Sequence, residues 1–88
     1  KEEREFVLNG LHALHIKYWP TQGNFVLIDP PINDMEFTVF LEQRGIMVRP
    51  VGNFGAPGKV RISFGVREAN KALLAALEVL MKTQTTTA

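Results

Sequence analysis

The 88-residue sequence contains no cysteine, which excludes a disulfide framework, a thiolate nucleophile and any cysteine-based zinc or iron–sulfur site. A reducing cytosol is the expected compartment. Apolar runs are a handful of residues long, far short of the ~20 needed to cross a bilayer. The start, Lys1-Glu2-Glu3-Arg4-Glu5, has none of the apolar character of a secretory signal. No membrane partner is expected. The chain also opens without Met, on a charged segment that already looks helical, so the expectation is a piece of a longer protein. With 45% hydrophobic and 22% charged residues, the composition is that of an ordinary soluble domain. A chain this short buries little more than ~60% of its unfolded surface, enough for one modest core and no second domain.

Acidic residues are missing from one window. None occurs between Glu42 and Glu68, where Arg44, Arg49, Lys59, Arg61 and Arg67 supply half of the ten basic side chains. The net charge of +1 therefore averages over a local positive field, and local fields govern ligand choice more than the total does. A solvated surface is the simpler account of Arg44, Lys59 and Arg67.

Apolar residues at Val7, Leu11, Leu14 and Tyr18, with Phe6 and Leu8 beside them, mark an amphipathic helix from Glu3 to Trp19 that Pro20 ends. The run Asn24 to Asp29, between a glycine and Pro30-Pro31, reads as a buried strand. Asn33 and Glu36 have capping-box spacing, and a short helix with Phe37, Phe40 and Leu41 on one face runs to about Arg44, where Gly45 suits the left-handed stop. Ile46 to Pro50 and Lys59 to Phe64 are two further strands, joined by the glycine-rich loop Val51 to Gly58. Such a loop has the chemistry of a ligand-facing segment. From Arg67 to Lys82, Leu73, Leu77 and Leu80 form a strong helical stripe, whereas residues 83–88 have nothing to bury and are expected to be a disordered polar tail. The order α-β-α-β-β-α implies an α+β two-layer sandwich. A βαβ crossover with parallel strands, followed by a hairpin-like return, predicts a small mixed three-stranded sheet.

Few residues offer chemistry. His12 and His15 are spaced to share a helix face, but no third ligand lies nearby in sequence, and the simpler reading is surface histidines. Ser63 has no activating motif, Glu2, Glu3 and Glu5 read as a solvated helix start, and no phosphate-binding glycine loop occurs. No metal site and no self-contained catalytic constellation is expected. Arg49 ends one strand and Arg61 opens the next. If those strands are neighbours, the two guanidinium groups can converge on one carboxylate or phosphate through bidentate hydrogen bonds; the spacing fits equally well two edge arginines paired with acids or water.

The segments Pro20 to Ile28 ("PTQGNFVLI"), Leu41 to Pro50 ("LEQRGIMVRP") and Val60 to Asn70 ("VRISFGVREAN") resemble the C-terminal small domain of the fold type I pyridoxal-phosphate aminotransferases, and within them the histidinol-phosphate type. The likeness covers residues 1–82 and implies the small-domain fold of that family. It also implies a transferase of amino-acid biosynthesis that moves an amino group between histidinol phosphate and 2-oxoglutarate. On this resemblance Arg61 matches the arginine that holds the anionic end of the substrate, and Arg49 matches a second arginine near the same anion. Pyridoxal phosphate, the lysine that carries it and most groups that hold it would reside in a large domain of the same chain, in a homodimeric, cytoplasmic parent. Lys1, Lys17, Lys59, Lys71 and Lys82 match none of those positions, so the 88 residues alone are expected to be inactive. Val66 stands where the family often has Thr or Ser, and Gln22-Gly23 replaces small residues before "NF".

Related activities share the pattern, threonine-phosphate decarboxylase and other class I and II aminotransferases among them. Two readings from other classes also fit an α+β domain. One is a nucleic-acid-binding module using Phe54 and Phe64 as stacking rings, for which a fourth strand is missing. The other is an amino-acid-sensing regulatory domain.

Overall fold

The computed structural model describes residues 2–52, 55 and 57–86. Seven elements follow one another: α1 (Glu2–Ala13), β1 (Tyr18–Pro20), β2 (Phe25–Ile28), α2 (Asp34–Glu42), β3 (Arg49–Pro50), β4 (Val60–Ser63) and α3 (Arg67–Thr86). The strands form one sheet in the order β1-β2-β4-β3, with every neighbouring pair antiparallel.

The expected α+β, two-layer architecture is present. Val26, Ile28, Val60 and Ile62 point to one side of the sheet and join a buried cluster with Val7 and Leu11 of α1, Phe37 and Leu41 of α2, and Leu73, Ala76, Leu77 and Leu80 of α3. The alternate positions Phe25, Leu27, Arg61 and Ser63 are half-buried or exposed, as the period of two along a strand requires. The helices therefore cover one face and leave the other open.

The sheet itself differs from the mixed, three-stranded one expected. β2 and β3 do run in the same direction, because both are antiparallel to β4, but β4 lies between them and no parallel pair forms. The extra strand, β1, comes from residues read as the end of the first helix. That helix stops at Ala13. Ile16 N–H donates to Leu11 O at 3.0 Å and His15 N–H to His12 O at 3.0 Å, with His15 at φ 62°. This is the Schellman arrangement, made without the glycine that normally signals it. Beyond it Ile16 is buried, Lys17 exposed, Tyr18 half-buried and Trp19 exposed, an alternation that announces a strand.

The end of α2 matches expectation. Asn33 Oδ1 accepts from Met35 N at 2.9 Å and from Glu36 N at 3.2 Å, and Gly45 at φ 77° closes the helix with Ile46 N–H donating to Leu41 O at 2.9 Å. At the start of α3, where Val66 supplies no capping side chain, Asn70 reaches back instead. Its amide accepts from Gly65 N at 3.0 Å and donates to Gly65 O at 2.8 Å. The helix α3 continues beyond Lys82 to Thr86. Thr83 Oγ1 donates to Val79 O at 3.0 Å in the first turn of that extension.

Candidate functional site

β3 and β4 are neighbours, and Arg49 and Arg61 stand directly opposite each other across the pair. Directly opposed residues in an antiparallel pair have Cα atoms only about 4.5–5.5 Å apart. Both arginines belong to the open face. With Ser63, Met47 and Val48 they line a hollow of about 140 Å³. Like charges opposed across two strands are destabilising, and among the described residues no acidic side chain pairs with either arginine. Arg61 is half-buried, and its Nε is buried without a hydrogen-bond partner. A buried donor left unpaired costs about 1–3 kcal/mol. An anion seated in the hollow would relieve the repulsion between the two guanidinium groups.

The remaining cations of the acid-free window are exposed or half-buried, in line with a solvated surface, and each also has a partner. Arg44 Nη1 donates to Phe40 O at 3.1 Å and its guanidinium lies 3.8 Å from the Phe40 ring centroid. Lys59 is 4.0 Å from Asp29 and 4.7 Å from the centre of Trp19. Arg67 Nε donates to both carboxylate oxygens of Glu3 at 3.1 Å. Glu3, expected to be a solvated helix-start residue, thus crosses from α1 to α3, where it also accepts from Asn70 Nδ2 at 2.8 Å. The hydrogen bonds from Arg67, then from Asn70, hold the Glu3 carboxyl below its ordinary value.

Other sequence candidates end up elsewhere. His12 and His15 are exposed at the end of α1, and among the described residues no three metal-binding side chains come together. Ser63 lines the hollow beside both arginines, a neighbour that its dismissal as a nucleophile overlooked. Phe54 lies outside the described residues. Phe64 packs against the core with Arg4 5.8 Å from its ring, so it is not a free stacking platform. The fourth strand that the nucleic-acid reading lacked does exist. Among the described residues no helix is long and apolar enough to cross a membrane.

Comparison with known proteins decides the family. Residues 1–77 match the family described as aminotransferase class I and II. The chain belongs to that family. A histidinol-phosphate aminotransferase of Anaeromyxobacter sp. (strain Fw109-5) is 43% identical over 77 residues, which are 86% of this chain and 21% of that protein. Histidinol-phosphate aminotransferase 2 of Ralstonia nicotianae is 44% identical over 68 residues, 74% of this chain and 18% of the relative. Among solved structures, an aspartate aminotransferase from Thermotoga maritima superposes with a TM-score of 0.81 at 26% identity, over 93% of this chain and 23% of that one. The histidinol-phosphate aminotransferase from Clostridium acetobutylicum, at 24% identity and TM-score 0.83 over 93% of this chain and 26% of its own, shares the fold. The chain thus spans about a fifth of the length of the curated relatives it matches.

Pyridoxal phosphate, the cofactor that this aminotransferase family implies, needs a lysine close to where the substrate is held. None of the described lysines lines the Arg49–Arg61 hollow. Lys17 and Lys59 flank Trp19, Lys71 is exposed on α3, and Lys82 lies 3.7 Å from Glu78. Among the described residues, therefore, no lysine stands at this hollow to carry that cofactor.

Proposed function

We propose that residues 1–82 form the C-terminal small domain of a pyridoxal-phosphate-dependent histidinol-phosphate aminotransferase, and that Arg49 and Arg61 grip the phosphate end of its substrate. The observation that carries this reading is the cross-strand arginine pair, unpartnered by any described acid, with the Nε of Arg61 lacking a hydrogen-bond partner. Two adjacent cations suit a dianionic phosphate better than a single carboxylate, because each guanidinium can fork onto a different pair of oxygens. That favours the histidinol-phosphate type over aminotransferases whose substrates carry carboxylates alone. The names of the relatives point the same way.

On this reading the cofactor, its lysine and the groups around them belong to a large domain, and the parent is a cytoplasmic homodimer working in histidine biosynthesis. The arginines form no covalent bond. They fix one end of the substrate so that its reacting carbon is held where the large domain presents the cofactor. Arg61→Ala in the full-length enzyme should raise KM for histidinol phosphate and lower kcat/KM by about 30- to 1000-fold, the usual scale for truncating one member of a buried charge pair. The cofactor's visible absorbance should not change. An unaltered kcat/KM removes Arg61 from the site, while equal loss for phosphorylated and unphosphorylated amines argues that Arg61 grips a carboxylate instead, as in other class I and II aminotransferases.

A further inference from the structure

We propose that Phe25 is a positioning residue for Arg61, a role that rests on the anion-anchor reading above. Phe25 lies on β2, on the open face, opposite Ser63 and one diagonal step from Arg61. The Arg61 guanidinium carbon is 5.0 Å from the centre of its ring. The ring also packs against the β1–β2 turn. A Cβ at Gly23 would come within 3.0 and 3.3 Å of ring atoms Cε2 and Cδ2, so the turn backbone lies against the ring. That turn is tied down in its own right. Thr21 Oγ1 donates to Phe25 O at 2.7 Å and accepts from Gly23 N at 3.2 Å, and Arg4 Nη1 donates to Gly23 O at 3.2 Å.

The chemistry of the partner matters. A carboxylate beside Arg61 would restrain the side chain by consuming two of its N–H donors and offsetting its charge. A ring face attracts the cation without taking an in-plane N–H. Phe25 therefore restricts where the guanidinium sits without taking any of its N–H donors. A side chain already held in place loses less rotamer freedom on binding, and affinity rises accordingly.

The test is an NMR titration of the 88-residue chain with inorganic phosphate, followed at the Arg61 Nε–Hε resonance. Hε should show a nuclear Overhauser contact with the Phe25 ring before phosphate is added. Phe25→Leu should bind phosphate about three- to tenfold more weakly, the range of a cation–ring contact. Phe25→Tyr should restore the affinity, and Arg61→Gln should abolish it. Wild-type affinity in Phe25→Leu overturns the role of Phe25 and leaves the anchor intact. Wild-type binding no tighter than that of Arg61→Gln overturns the anchor and this role together. If Phe25→Leu loses its amide dispersion, the wild-type contact and the Phe25→Tyr affinity decide: absence of the contact, or failure of tyrosine to match phenylalanine, overturns the proposal.

Discussion

His15 does at the end of α1 what Gly45 does at the end of α2. Each occupies the left-handed position of a Schellman turn, at φ 62° and 77°, and each is followed by a buried or half-buried isoleucine whose N–H reaches back five residues. A residue with a Cβ is strained there, by roughly 1–2 kcal/mol for an ordinary side chain, whereas glycine is not. His15 is exposed, so its imidazole contributes little packing to offset that strain. Replacing His15 with Gly should stabilise the chain by about 0.5–1 kcal/mol after the extra freedom of the unfolded state is counted. The urea midpoint should rise with an unchanged slope. A midpoint that falls would mean that the imidazole contributes more than the backbone loses. The absence of a glycine is also why the helix end was not readable from the sequence, which placed it six residues too late.

At the scale of elements, α1 and α3 are held together by close approach and by one polar tie. A Cβ at Gly10 would lie 2.5 Å from Leu74 Cδ1, so this mid-helix glycine is where the two helices meet. Nearer the start of α1, Glu3 links Arg67 and the buried Asn70. Those hydrogen bonds hold its carboxyl below the ordinary glutamate value. A carboxylate with a lowered folded-state pKa stabilises the fold above its unfolded value, and the contribution is lost as pH falls through the folded value. Glu3→Gln should therefore melt lower than wild type near neutral pH, and the gap should close on acidification below about 4.5. Thermal melts of both chains across that range check it; a gap independent of pH would show that packing, not charge, ties the helices.

For the molecule as a whole, stability rests on one layer of helices packed on one side of the sheet. Phe37 of α2 is fully buried there with Leu11, Ile28, Leu41, Ile62 and Leu77. Phe37→Ala should cost about 3–5 kcal/mol, a large share of the ~5–15 kcal/mol that holds a typical domain. Chemical denaturation should show the midpoint displaced strongly downward. An unmoved midpoint would detach α2 from the core. The same one-sided layering exposes the opposite face of the sheet, and with it the row Trp19, Leu27, Arg61 and Arg49, one residue from each strand. A domain with helices on both faces could not present two arginines in this way.

Apolar spacing along the chain was sufficient to place three helices, the strands Phe25–Ile28 and Val60–Ser63 and the stop at Gly45, because each depends on neighbours within a few residues. The acid-free window likewise singled out Arg49 and Arg61. Which strands touch was decided only by the fold. β4 inserted between β2 and β3, and the pairing that sets Arg61 against Arg49 on one side and Leu27 on the other joins residues 12 and 34 positions apart. No local pattern encodes that register. It follows from burying Val26, Ile28, Val60 and Ile62 against the helices at once, which turns every alternate residue outward and thereby brings the two arginines and Phe25 to the same face.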